Sequence, residues 1–346
     1  MVSDSVEDKR EVCWIYPPQP MESLPPVSVM LPVLNEVESI DDVLGDLLAQ
    51  DYRGSLEVVV ADGGSTDGTL GKLSEWNAAD PRIRVVDNPK RRQAVGLNLA
   101  AAQSAGSVLV RADGHSRYAR DYVSNSMRVL AEVGGAVGGR MRPVGATAFG
   151  RAVAAAMESP LTMGPGRFHH ATTREEVDTV YLGAFNRPDF EALGGFRLFT
   201  GTSEDADFYF RWRQSGRKVF VDPTIVSTYR PRDAPGALWR QYFRYGLGKS
   251  EMLWFNGRLP SPRPLAPMSL VVGLLATLAL GILSGLWWPL ALALAGWVLL
   301  LTWVAVRSDE SSWGVMSAAA IMHLSYGLGT VWGLIRGPGP TRRLRG

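Results

Sequence analysis

Between Met268 and Val306 the chain carries no Asp, Glu, Lys or Arg. A helix crosses a bilayer core with about 20 apolar residues, so this stretch is too long for one span. It divides at Ser284-Gly285-Leu286-Trp287-Trp288-Pro289, where tryptophans suit a membrane interface and proline suits a helix start. Spans over 268–285 and 289–306 are predicted. A third candidate span, 313–335, is interrupted by His323 and by several serines and glycines, and three membrane helices are expected in all. A soluble buried helix pair is the alternative for the first stretch, and its length argues against that.

The remainder is a different material, because most ionisable residues lie before Pro264. Charged residues at 20% with abundant Val, Ile and Leu are too apolar for a disordered chain. A net charge of +2 implies no basic face for nucleic acid. The single cysteine, Cys13, excludes an intramolecular disulfide and a cysteine-based zinc site. Residues 1–26 hold acids and Pro17, Pro18, Pro20, Pro25 and Pro26 in place of a basic start and an apolar run. An irregular leader without a signal peptide is expected there.

From Val27 the pattern is α/β. Strands are predicted over Val27 to Val33, Leu56 to Ala61, Ile83 to Val86 and Val108 to Val110. Val58, Val59 and Val60 do not alternate, which suits a strand buried on both faces of a parallel sheet. Ile40, Val43, Leu44, Leu47 and Leu48 recur at helical spacing, and an Ala-rich helix is expected from Arg92 to Ala105. The result is an open doubly wound sheet that binds its ligand beyond the carboxyl ends of its strands.

Three polar loops follow those ends: Asn35-Glu36, Asp62-Gly63-Gly64-Ser65-Thr66-Asp67-Gly68, and Arg111-Ala112-Asp113-Gly114-His115. Glycines allow close backbone approach, and the following helix N-termini favour an anion. Such loops also make plain turns, with Ser65 or Asp67 as a helix cap. Three at one sheet edge favour a ligand. No dinucleotide fingerprint follows the first strand, which runs into Pro32-Val33-Leu34-Asn35-Glu36. Gly246-Leu247-Gly248-Lys249-Ser250 lacks the first glycine of a P-loop, since Phe243 stands there.

Pro32 to Glu36, Ala61 to Thr69, Asp113-Gly114-His115 and Glu204-Asp205-Ala206-Asp207, in that order, resemble family 2 glycosyltransferases of the GT-A fold. Within that family the chain is similar to the membrane-attached ExoA-like group, which extends lipid-linked sugars. The resemblance covers Val27 to Glu251, with a similar apolar tail. It implies that Pro32, Asn35 and Glu36 line the nucleotide pocket and that Asp62 bonds the base, commonly uracil. Asp113 and His115 fall where the family has Asp-x-Asp, which holds a divalent cation on the diphosphate. The nitrogen of His115 suits Mn²⁺ and leaves Mg²⁺ possible through water; a loop histidine bonded to backbone is the other reading. Arg91 and Arg111 are candidates to meet the diphosphate, while Lys90 and Arg92 fit a solvated turn equally well. Asp205 falls at the family's general base, in a helix expected from Asp205 to Gln214. Glu204 stands beside it, and Gly183-Ala184 resembles the segment beneath the acceptor. Carboxylates at a helix start also serve as caps.

Gln241-x-x-Arg244-Tyr245 resembles the Gln-x-x-Arg-Trp motif of processive members, with Tyr245 in place of tryptophan. Trp239, Tyr242, Phe243, Trp254 and Phe255 alternate with Arg240, Arg244 and Lys249, as in an interfacial helix. Arg230 and Arg232 fit an acceptor diphosphate or a plain surface, and His169 and His170 are assigned no role. The expected organisation is a leader (1–26), a catalytic domain (27–237), an amphipathic segment (238–264), a membrane domain (265–336) and a basic tail (337–346). The expected activity is inverting, metal-dependent transfer of a hexose from a nucleoside diphosphate sugar, UDP-sugar first, to a lipid-linked acceptor. A catalytically silent scaffold and a sugar nucleotidyltransferase are the alternatives. A multi-pass protein of the cell membrane with a cytoplasmic catalytic domain follows, and Arg258 and Arg263 agree with the positive-inside rule. Three full spans place Arg336, Arg342, Arg343 and Arg345 outside, against that rule, so either the third segment lies in the interface or re-enters, or the tail charges are overruled.

Overall fold

The computed structural model describes residues 24–163, 170–199, 202–259 and 262–337. Cys13, His169, Arg342, Arg343 and Arg345 lie outside them, as do most of the leader and most of the tail. The chain runs β1 (Val27–Val33), α1 (Ile40–Leu48), β2 (Leu56–Asp62), α2 (Thr69–Ala79), β3 (Ile83–Asp87), α3 (Gln93–Ala102) and β4 (Val108–Arg111). β5 (Ser116–Tyr118), α4 (Tyr122–Val133), β6 (Ala136–Pro143), α5 (Ala148–Met157), α6 (Pro160–Met163), β7 (Glu175–Glu176) and β8 (Tyr181–Asn186) follow. Then come α7 (Arg187–Ala192), α8 (Glu204–Gln214), β9 (Val219–Tyr229) and α9 (Pro235–Asn256). The last three helices are α10 (Leu265–Ser284), α11 (Trp288–Val306) and α12 (Ser312–Arg336).

The sheet order is β3-β2-β1-β4-β8-β6-β9-β5, with β7 paired to β9. β1 to β4 are parallel, and β8 turns the sheet mixed by pairing antiparallel with β4 and β6. Val33 pairs with Asp62 and Asp62 with Asp87, so the carboxyl ends of these strands are level and their loops share one edge. The valine run of β2 explains itself in the packing. Val58 and Val60 face a core with Ile40, Leu44 and Val123, while Val59 faces another with Leu97, Phe208 and Trp212. Each fully buried valine contributes about 1.5–3 kcal/mol, so both faces of β2 reject polar residues.

A third core joins α5, α9, α11 and α12 through Val153, Leu238, Tyr242, Val304 and Ala319. The amphipathic segment is therefore not free along one side. Leu238, Tyr242 and Met252 of α9 are buried, and of the expected aromatic stripe Trp239 and Trp254 are the clearly exposed members. α9 and α12 touch backbone to backbone: a Cβ on Gly246 meets the Tyr326 carbonyl, and one on Gly329 meets that of Phe243. Ser250 Oγ seals the crossing by donating to Thr330 O at 2.8 Å.

All three C-terminal helices are long and apolar enough to cross a membrane. They differ in exposure. Only 11% of the apolar window of α10 and 17% of that of α11 are buried inside the protein, against 50% for α12.

Candidate active site

Two neighbouring features stand at the carboxyl edge of the sheet. The first is a pair of interlocked loops. Asn35, at φ 58°, donates its N–H to Ser65 Oγ (2.9 Å) and accepts from Thr66 N–H through Oδ1 (2.8 Å). The Asp62 carboxylate, 2% exposed, accepts from the N–H groups of Gly64 and Ser65 and from Ser65 Oγ. Asp67 accepts from Thr69 N–H and Oγ1 and from Val37 N–H. Arg91, at φ 52°, lays its guanidinium over Gly64, where a Cβ would stand 3.2 Å from Nη2. Pro32 is half-buried and Lys90 exposed on the same edge.

The second feature is a cleft of about 620 Å³. Its walls are the end of β4 with Arg111, Asp113 and His115, the start of α8 with Glu204 and Asp205, and the α9 face bearing Gln241, Arg244, Tyr245 and Lys249. Pro32, Asn35, Glu36, Asp62 and Arg91 stand outside this cavity, on the adjoining loops. Glu36 links the two features: its Oε1 lies 3.3 Å from His115 Nδ1, and Ser39 Oγ donates to Oε2. Gly114 admits that contact, since a Cβ there would lie 3.0 Å from Glu36 Cγ.

Arg111 and Asp113 are each 5% exposed. Arg111 Nε and Nη2 approach the Asp113 carboxylate at 3.3 and 3.4 Å, and Gln93 Nε2 donates to Asp113 Oδ1 at 3.1 Å. Burial works to lower the pKa of Arg111, but the charges of Asp113, Asp205 and Glu204 outweigh it and raise the value. Among the described residues Arg111 Nη1 has no hydrogen-bond partner. An orphaned buried donor costs about 1–3 kcal/mol.

Glu204 is 6% exposed, takes the Ser203 N–H, and lies 4.0 Å from Arg111 Nη2. Burial and the Asp205 charge raise its pKa, with Arg111 opposing. Asp205 is only half-buried. Among the described residues its carboxylate takes one hydrogen bond, from Ala206 N–H to Oδ1 at 2.7 Å, so Oδ2 is free toward the cleft. Asp207, fully buried, is an anchor for α8: it pairs with Arg211 and Arg197 and accepts from Asn256 Nδ2.

Several expected site residues take other positions. Gly183 and Ala184 do not line the cleft. They sit inside β8, where Ala184 is 1% exposed and Gly183, at φ 128°, admits the Tyr209 hydroxyl, which donates to Leu182 O. Gln241 spends its amide N–H groups on the hydroxyls of Tyr229 (2.8 Å) and Tyr245 (3.0 Å), so it positions those rings. Arg232 reaches the cleft, whereas Arg230 is exposed beside it.

Gln93, Tyr181, Tyr229, Lys249 and Tyr326 also line the cleft and were not anticipated there. For Lys249 a signal existed: Gln241, Tyr245 and Lys249 recur every four residues and therefore share one helix face. Burial lowers the pKa of Lys249, against the raising effect of Asp205 and Glu204. The glycines of Gly246-Leu247-Gly248-Lys249-Ser250 lie within the α9 helix, which excludes a phosphate-binding loop.

The glycosyl transferase family 2 model matches residues 28–194. The chain is 29% identical over 311 residues to the succinoglycan biosynthesis protein ExoA of Rhizobium meliloti, covering 87% of this chain and 92% of that one. It is 24% identical over 245 residues to a dolichyl N-acetyl-α-D-glucosaminyl phosphate 3-β-D-2,3-diacetamido-2,3-dideoxy-β-D-glucuronosyltransferase of Methanococcus voltae, covering 66% and 75%. Among solved structures it is similar to a mannosyltransferase of Pyrobaculum calidifontis in complex with GDP-Man and Mn²⁺, with a TM-score of 0.62, 24% identity and 91% of each chain covered. Sheet topology, cleft and matches agree, and the chain belongs to glycosyltransferase family 2, as a GT-A enzyme with three C-terminal apolar helices.

Proposed function

We propose that the protein transfers a hexose, with inversion, from a nucleoside diphosphate sugar to a lipid-linked saccharide at the cytoplasmic face of the cell membrane. The observation that carries this reading is the placing of the half-buried carboxylate of Asp205, with Oδ2 free, in one cleft with Arg111, Asp113 and His115. An inverting transfer needs a base on the acceptor side to take the hydroxyl proton as the oxygen attacks the anomeric carbon. Asp205 stands in the first turn of α8, a position that suits a carboxylate side chain. The leaving nucleoside diphosphate gains charge, and the Arg111 guanidinium, which lines the cleft, would meet it. The interlocked loops hold the nucleoside: Asp62 makes three hydrogen bonds, and a carboxylate has about four acceptor positions, so one remains for a base N–H.

Asp113 and His115 supply one carboxylate and one imidazole, and no group of three or more potential metal ligands occurs among the described residues. That donor set fits a divalent cation shared with substrate phosphates better than a self-contained metal centre. Asp113 and His115 Nε2 would hold it, and such an ion supplies Lewis-acid neutralisation of the diphosphate. The relatives named for succinoglycan synthesis and for a dolichyl phosphate acceptor support the lipid-linked acceptor.

The test is transfer of labelled sugar by wild type and by Asp205→Asn, with a donor panel of UDP-, GDP- and TDP-sugars. Retained donor binding with transfer reduced by about 10²–10⁴ is expected. Unchanged transfer removes Asp205 as the base, and absence of binding to every donor favours a silent scaffold.

For the membrane, α10 and α11 form the inserted hairpin and α12 runs along the catalytic domain. Support comes from Tyr326 of α12, which lines the catalytic cleft, and from the deeper burial of that helix. This arrangement returns Arg336 to the side of Arg258 and Arg263, in keeping with the positive-inside rule. A Gly337→Cys label in a Cys13→Ser background reacting only in inverted vesicles fits it. Reaction only in right-side-out vesicles overturns it.

A further inference from the structure

His323 interrupts the apolar pattern of α12 and is 7% exposed. A buried imidazole is costly unless both ring nitrogens are satisfied, and here both are. Trp297 Nε1 of α11 can only donate, and it lies 3.3 Å from His323 Nδ1. Nδ1 is therefore the acceptor, Nε2 carries the proton, and that N–H donates to Leu161 O at 3.2 Å. Leu161 belongs to α6, a helix of four residues whose carbonyls lack partners within so short a segment. Two residues on, Met163 lines the cleft and receives the Tyr242 hydroxyl on Sδ at 3.1 Å. Side chains from α9 and α12 thus tie down the cleft wall formed by α6, and α11 fixes the tautomer of the histidine that does so.

We infer that His323 is a positioning residue: through Leu161 it holds α6 in register with the catalytic cleft, so that the helix bundle sets the shape of the acceptor side. The inference rests on the transferase reading, with α6 assigned to the acceptor side because Met163 lines the cleft together with Tyr242 and Tyr326 of the helix bundle, whereas Asn35, Asp62 and Arg91 of the interlocked loops do not line it.

The experiment uses the full chain in lipid vesicles with His323→Leu and His323→Gln. Glutamine keeps an N–H near Leu161 O, and leucine keeps neither hydrogen bond. Removing the His323 contacts to Leu161 O and Trp297 N–H should raise KM for a lipid-linked acceptor about tenfold, with donor KM within about twofold. His323→Gln should recover to within about threefold of wild type. Hydrogen exchange over Leu161–Met163 should quicken in the leucine variant and recover in the glutamine variant. Wild-type acceptor KM with unchanged exchange in His323→Leu, an equal rise in both KM values, or glutamine behaving as leucine would each overturn the inference. Failure of the wild type to transfer any sugar counts against the transferase reading, and the exchange result still decides the role of His323.

Discussion

The two sides of the site are built on opposite terms. On the side of the interlocked loops Asn35, Asp62 and Asp67 are committed to backbone N–H groups and hydroxyls of their own loops. On the cleft side Arg111 Nη1 lacks a partner among the described residues, and Asp205 keeps one oxygen free. The first side is held in shape mainly by hydrogen bonds among its own groups. The second retains unsatisfied groups that a substrate can complete, which is where transition-state charge can be met without reorganising the protein.

Perturbations of the two sides should therefore differ in kind. The largest effect is expected from Asp113→Ala, or from removal of divalent ions by a chelator. Either should abolish turnover in a labelled-sugar assay, and full activity without divalent ions would reject the cation site. Next, Asp62→Ala removes three hydrogen bonds at a residue 2% exposed. It should cost about 2–4 kcal/mol in thermal unfolding and weaken donor binding; an unchanged donor Kd would separate that loop from the nucleotide. A smaller effect belongs to Gly248→Ala. A Cβ there would lie 2.7 Å from Ser203 Oγ, next to Glu204 and Asp205. The shift should lower kcat about tenfold while donor KM stays within twofold, which corresponds to about 1.4 kcal/mol of lost transition-state stabilisation. An equal change in donor KM would show that the two sides are not independent.

The smallest effect concerns pH. Glu204 has its pKa raised above the ordinary carboxylate value of 4.5 by burial and by Asp205. Across the window from 4.5 up to that raised value the folded state binds more protons than the unfolded one, so stability falls as pH rises. Glu204→Gln should flatten this slope in unfolding measured from pH 4 to 8. A slope equal to that of wild type would show that Glu204 is not its source.

Much of the interlocked-loop side could be read in the chain. Asp62-Gly63-Gly64-Ser65 and Asp67-Gly68-Thr69 announce turns and a helix start through short-range chemistry, and the strands before them are marked by β-branched runs. The cleft was only half legible. Asp205 and Arg244 stand out through motifs, but Gln93, Tyr181 and Tyr326 come from three distant elements, and no local pattern brings them together. Gly183 and Ala184 show the same limit: small residues suit a segment beneath a ligand and a crowded strand equally well, and only the packing shows that the Tyr209 hydroxyl takes the space at Gly183.

By itself the sequence determined the material: an α/β domain, loops at the strand ends, and an uncharged stretch that water would not tolerate as a solvated coil. Those are consequences of residue type and spacing over a few turns of chain. Only the tertiary structure decided the use of α9 and α12. Glycines at 246 and 329 let their backbones meet, and the resulting crossing places Lys249 and Tyr326 in the cleft and His323 against α6. Such contacts depend on which helix faces which, and helical periodicity marks a face without naming its partner.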